Sequence, residues 1–392
     1  MMTLFKSFFI GGFECATHYG QRDMRLDLLA ATGHDRFAAL DYALLREYGI
    51  YTVREGVRWH RVETAPGRFT FDEVRDHVLA AEQMGIQVIW DLFHFGYPDD
   101  IDLFDVSFIK RFAAYAREFT RVLTSETDAI PFVTPINEIS FLAHQGGEIG
   151  NINPFTHGRG KALKAQLVRA TIEAIEEIRQ IAPGARFVTA EPLFNAVAEN
   201  DDPQQRAKAR AYSYARYQAW DMLAGDLQPE LGGAPKYLDI LGVDYYPWNQ
   251  WFYVGEREAG KSLRRDDPRY IPLHRLLAEV YERYQRPLLI TETSTEGDSR
   301  ADWLAYVGDQ VRLAIQSGVP VEGICWYPIV DFPGWDNDRP CDTGLWGTCD
   351  ENGARSICPS LAAEFTRQTA LMENLWSQES GLPYYPTQNA KT

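Results

Sequence analysis

The chain is short of positive charge. Its 392 residues carry 39 Lys and Arg against 55 Asp and Glu, a formal charge of −16, which argues against nucleic acid or an anionic membrane as partner. No stretch approaches the ~20 apolar residues of a membrane span. The N-terminal MMTLFKSFFIGGFE has a lysine and an apolar patch, but Gly11 and Gly12 interrupt it, so no signal peptide is expected. Cysteine is scarce too. Cys15, Cys325, Cys341, Cys349 and Cys358 are odd in number and form no Cys-x-x-Cys pair, which fits reduced thiols in the cytoplasm. A Cys341–Cys349 bridge in an oxidising compartment is the lesser alternative. The eight histidines include no His-x-His pair, so the ligands of a metal-dependent barrel hydrolase are missing and no metal or other cofactor is expected. There is no low-complexity tract and no solenoid or propeller period.

What is plentiful is aromatic surface, 13% of residues with 10 Trp and 20 Tyr. It suits a site where sugar faces stack on rings, and equally a packed core. Strand and helix signals alternate, the mark of an α/β protein with a parallel sheet. Strands are expected at 8–13, 51–57, 87–93, 132–136, 186–190, 237–245, 287–291 and 321–326. Helices are expected at 37–48, 71–84, 106–123, 162–181, 203–223, 272–284, 303–317 and 360–374, with a glycine-rich turn at 146–150. Eight strand–helix units without a strong linker predict a single-domain (β/α)8 TIM barrel over residues 1–375, followed by a tail, 376–392.

Such a barrel presents its chemistry at the C-terminal ends of its strands. Read in order, those ends carry Glu14 and His18, Arg54 and Trp59, Asp91 and His94, Asn137 and Glu138, Glu191, Asp244 and Tyr246, Glu292, and Trp326 with Asp331. An isolated strand-end carboxylate is structural more often than functional. The pair Glu138 and Glu292 has a chemical rationale, because glycosidic cleavage needs one carboxyl to donate a proton and another to attack or to activate water. A phosphate-binding isomerase or aldolase would place an anion loop or a lysine where Glu292 and Trp326 stand.

The ordered motifs VREGVRWHRVETAPGRF (53–69), LFHFGYP (92–98), PINEIS (135–140), GVDYYP (242–247), PLLITETS (287–294) and GICWYPIVDFPGW (323–335) resemble those of clan A retaining β-glycosidases, most of all the family 1 β-glucosidase/β-galactosidase group. The resemblance runs from Phe8 to about Trp346. It implies a carbohydrate substrate, with Glu138 as acid/base, Glu292 as nucleophile, and Arg54 and Tyr246 supporting Glu292. It also implies Asn137 on the sugar 2-hydroxyl, His94 on a further hydroxyl, Trp326 as the platform under the ring, and Trp335 among the substrate contacts. Tyr246, two residues past Asp244, shares its strand face, and Tyr245 points into packing.

The sequence departs from the family pattern in the glycone pocket. His18 stands where the family has a glutamine, Phe95 and Gly96 follow His94, and Ile139 follows Glu138 where the family has proline. Thr293 and Ser294 replace Asn-Gly, and the eighth-strand glycone glutamate is missing, with Asp331 nearby. Glu14 and Glu191 are extra carboxylates at strand ends, with hydroxyl binding in its stead and a structural role as equal alternatives for each. Arg339 is the only basic residue between Trp326 and Cys349, which disfavours a 6-phospho-sugar. A transglycosylase or an inactive carbohydrate-binding barrel is the competing expectation.

Overall fold

The computed structural model describes residues 4–21, 24–255 and 260–380. Eight strands close a parallel barrel: β1 (Phe9–Gly12), β2 (Thr52–Gly56), β3 (Gln87–Asp91), β4 (Phe132–Thr134), β5 (Arg186–Pro192), β6 (Ile240–Asp244), β7 (Leu288–Thr293) and β8 (Val321–Trp326). Each pairs with its sequence neighbours, and β1 closes the ring on β8 through Ile10 opposite Cys325 and Gly11 opposite Trp326. The helices that follow them are α1 (His34–Glu47), α2 (Asp72–Met84), α3 (Val106–Glu126), α4 (Gly160–Ile181), α5 (Pro203–Tyr214), α6 (Leu273–Tyr284), α7 (Arg300–Gln316) and α8 (Pro359–Ser380). This is a (β/α)8 barrel. No helix among the described residues is long and apolar enough to cross a membrane.

The strands read as unbroken buried runs because both faces are covered. Alternate residues divide between two cores. Ile10, Ile89, Val188, Ile240, Leu289 and Cys325 fill the barrel, and their neighbours in sequence pack under the helices. Gly12 is required where it stands, since a Cβ there would lie 2.3 Å from the Tyr327 ring.

Three expectations change. The helix read over 203–223 breaks into α5, a short 3-10 turn at Ala215–Tyr217, and Gln218–Ala224. The glycine-rich turn is the end of a π-helical turn, Ala143–Glu148. Helix α8 runs to Ser380, past the boundary expected at 375, and residues 381–392 of the tail lie outside the described residues. The Cys341–Cys349 bridge does not form. Cys341 Sγ faces the Arg339 carbonyl and Cys349 Sγ the Thr32 carbonyl, on different loops, and all five thiols are free.

Behind β2 a buried ion network ties α1 to the barrel. His34 Nδ1 meets Asp41 at 2.7 Å and its Nε2 meets Glu55 at 2.9 Å, while Tyr42 donates to Glu55 and Arg355 holds Asp41. Burial alone would lower the His34 pKa, but Glu55 and Asp41 outweigh it and carry it to about 9. A folded pKa above the unfolded ~6.5 means that this stabilisation is complete below that pH and is lost as pH rises through 9. His34→Leu strands Glu55 with only the Tyr42 hydroxyl and should cost about 3–5 kcal/mol in urea unfolding at pH 6. The penalty should shrink by pH 9.5; an equal penalty at both pH values would show that charge is not what His34 contributes.

Candidate active site

The barrel mouth is organised by Arg54, whose guanidinium is buried at the end of β2. Nη1 donates to Glu292 Oε1 at 2.6 Å, and Nη2 to Asp91 Oδ2 at 2.7 Å and Asn137 Oδ1 at 2.6 Å. A rigid fork is the group that can hold three such acceptors at once. Burial works against the Arg54 charge, but Asp91, Glu292 and Asp244 outweigh it and hold its pKa well above the ordinary value. Arg54 thus pairs with Asp91 as well as with Glu292.

Glu292 receives a second bond on its other oxygen, from the Tyr246 hydroxyl at 2.9 Å. Burial and the surrounding carboxylates push the Tyr246 pKa well up, so it stays a donor. Tyr245 turns the other way, bonded to Tyr270 and stacked on Trp303.

Glu138 differs in every respect. Its carboxyl accepts no hydrogen bond from the described residues, and it is half-buried where Glu292 is buried. Burial, then the charges of Asp244, Glu292 and Glu191, raise its pKa well above the carboxylate range. Its backbone is left-handed, φ 44° and ψ 61°, a conformation that costs a non-glycine residue about 1–3 kcal/mol and collects at functional sites. The turn is clamped from both sides, Asn137 N donating to the Phe93 carbonyl and Glu138 N to the Ala190 carbonyl. Glu191, expected on the sugar, is committed to this turn instead. Both its oxygens lie within 3.3 Å of Ser140 N, and burial lifts its pKa to about 7.

The remaining residues divide. His94 Nδ1 is 2.9 Å from Asp91, and its Nε2 faces Asn137 Nδ2 at 3.3 Å. Glu14 is buried 4.0 Å from His94 Nε2, with its Oε1 bonded by Ala16 N and the Tyr327 hydroxyl. Desolvation raises its pKa. His18 stands edge-on to Trp335, ring centroids 4.5 Å apart, with Nδ1 buried and unpartnered. Burial lowers its pKa to about 3, so it is neutral. Asp331 does not join them; it ties the loop after β8, accepting from Gly344 N at 2.7 Å and facing Arg300.

Trp326 is corrected as well. Its indole packs edge-on to Phe365 of α8 and donates to the Thr343 carbonyl, on the helix side of the barrel wall. The ring at the site is Tyr327, which lies under the Arg54 guanidinium at 5.3 Å and parallel to His94 at 5.8 Å. Cys325 faces the barrel interior, so alternation assigns Trp326 outward and Tyr327 inward. Counting from Cys325 would have found it. We therefore expect Trp326→Leu to lower the melting temperature with little change in KM. Tyr327→Phe, which strips one bond from Glu14 and leaves the buried Cys15 N–H without its acceptor, should shift KM and also cost about 1–3 kcal/mol of stability. The opposite pattern of KM changes would restore Trp326 to the site.

Cys15, Asp91 and His94 bring a sulfur, a carboxylate oxygen and a ring nitrogen within 4.8 Å of one another, the one group with metal-ligand spacing among the described residues. Arg54 already occupies Asp91 Oδ2, so a cation bound there would face a guanidinium.

No family model and no curated protein matches the sequence. Solved structures do match the fold. β-Glucosidase from Thermotoga maritima in complex with deoxynojirimycin superposes with a TM-score of 0.72 at 16% identity, over 86% of this chain and 88% of that one. The family 1 β-glucosidase from Thermotoga maritima gives 0.71 at 16%, over 88% and 87%. Its complex with isofagomine lactam gives 0.72 at 16%, over 88% of each. At that identity the likeness is one of fold.

Proposed function

We propose that this chain is a retaining β-glycosidase of the family 1 type, cleaving a β-linked glycoside by double displacement. The observation that carries the reading is the unequal treatment of two strand-end glutamates in one pocket. Glu292 is held by Arg54 and Tyr246 on separate oxygens, an arrangement that fixes its carboxyl group in one orientation. Glu138 has no donor and a pKa raised by burial and neighbouring charge, which favours the acid. The carboxyl with the raised pKa is the one placed to act as the acid, and the one aimed by two donors the one placed to attack.

Glu292 attacks the anomeric carbon while Glu138 gives its proton to the departing glycosidic oxygen. The resulting ester removes the Glu292 charge, so the Glu138 pKa falls and the same carboxylate can take a proton from water in the second step. Asn137 spends its oxygen on Arg54 and turns its amide nitrogen to His94 Nε2, which leaves one of its two N–H groups to donate to the sugar 2-hydroxyl. His94, Glu14, neutral His18 and Trp335 line the glycone side, with Tyr327 beneath. Arg339, the basic residue of the loop after β8, is paired with Glu296, which disfavours a 6-phospho-sugar. Five free thiols fit a cytoplasmic setting.

The test is a panel of 4-nitrophenyl β-glycosides, with the anomeric proton of the first-formed sugar followed by NMR. Release with the β-anomer appearing first supports the proposal. No release from any sugar, or an α-anomer first, overturns it.

A further inference from the structure

The turn that leaves β6 carries an indole whose position neither packing nor the catalytic pair accounts for. Trp248 is 53% exposed, and single exposed aromatics are ordinary, so exposure alone says nothing. Its setting says more. Trp248 lies parallel to Tyr246, ring centroids 5.2 Å apart and planes within 6°. Tyr246 in turn donates to Glu292 at 2.9 Å. One indole face is thus covered by the residue that holds Glu292, while about half of the residue's surface, 53%, stays exposed.

The turn is also rigid. Asn249 N donates to the Tyr246 carbonyl at 3.0 Å, closing a four-residue turn with Pro247 and Trp248 at its centre. The Asn249 side chain then donates to the carbonyls of Leu193 and Asp244, fastening the turn to the ends of β5 and β6. A proline at the second turn position presets the backbone. An aromatic face preorganised in this way gains contact area without losing conformational freedom on binding.

We propose that Trp248 is the platform of the leaving-group subsite, stacking on a flat apolar face of the aglycone, either an aryl ring or the face of a second sugar. The proposal rests on Glu292 being the nucleophile, because that places the glycone on one side of Tyr246 and the departing group towards the rim.

Three β-glycosides of one glycone test it in the wild type, Trp248→Ala and Trp248→Phe: the 4-nitrophenyl glycoside, a disaccharide, and the glycosyl fluoride, whose leaving group has no face to stack. In Trp248→Ala the ratio of kcat/KM for the nitrophenyl glycoside to that for the fluoride should fall about tenfold, with Trp248→Phe recovering most of it and thermal melting unchanged. A parallel fall for the disaccharide assigns the platform to sugars as well as aryl groups. An unchanged ratio, whether because nothing falls or because the fluoride falls equally, overturns the platform and leaves the glycosidase reading intact. A wild type that turns over none of the three overturns that reading, and the subsite with it.

Discussion

Glu292→Ala should abolish turnover of aryl β-glycosides, with kcat lower by on the order of 10⁴-fold or more, because removing a nucleophile removes the whole covalent route. The protein should stay folded. Arg54 keeps Asp91 and Asn137 as partners, and the Tyr246 hydroxyl faces the cavity left behind. Added azide should restore release of the nitrophenol and yield the α-glycosyl azide, since a small anion can enter the vacated space and attack the anomeric carbon from the same side. Loss without rescue would point to a supporting role for Glu292. An unchanged rate would show a barrel that binds sugars without cleaving them by this route.

Glu138→Gln should produce a loss that depends on the leaving group. General acid catalysis contributes about 10²–10⁴-fold, and a phenol with a low pKa hardly needs it. Glycosides with poor leaving groups should therefore lose most of that range, while dinitrophenyl glycosides should still give a burst followed by slow hydrolysis. The pH profile supplies a sign. The Glu138 pKa is raised, so the acid form persists upward through the carboxylate range and activity is lost as pH rises past its folded value. This basic limb of kcat/KM should vanish in Glu138→Gln for activated substrates. A limb that persists unchanged would belong to another group, Glu191 being the first candidate with its pKa at about 7.

The parts of this site that were legible in the sequence share a property: each is a side chain at the end of an apolar run, where local periodicity fixes direction. Asn137 and Glu138 follow closely on β4, Glu292 is the next-to-last residue of β7, and Tyr246 follows Asp244 at a spacing of two. Arg54 sits inside β2 with its parity set by Val53 in the outer core. The eight strands were readable for the same reason, since a doubly covered parallel strand is a continuous buried stretch.

The misreadings arise where partners come from distant chain segments. Glu191 and Asp331 look like free strand-end carboxylates until the loops that use them are placed. Ser140 N and Gly344 N are the groups they satisfy, and no local pattern predicts which backbone N–H will arrive. Asp91 reads as one more strand-end carboxylate, yet it joins Arg54 to His94. Trp326 differs in kind: the parity of β8, with Cys325 inside the barrel, turns the tryptophan outward and assigns the pocket to Tyr327.

The central claim is that Glu292 forms a covalent bond to the sugar with Glu138 across from it. Retaining pairs stand about 5–5.5 Å apart, whereas inverting pairs leave about 6.5–9.5 Å for a water. The most direct measurement is to incubate the protein with a 2,4-dinitrophenyl 2-deoxy-2-fluoro-β-glycoside of the preferred glycone and digest it for peptide mass analysis. We predict one equivalent of dinitrophenol and a fluoroglycosyl mass on the peptide that carries Glu292, with no label in Glu292→Ala. Label on Glu138, or turnover of the unfluorinated glycoside with no label on either glutamate, would contradict the account.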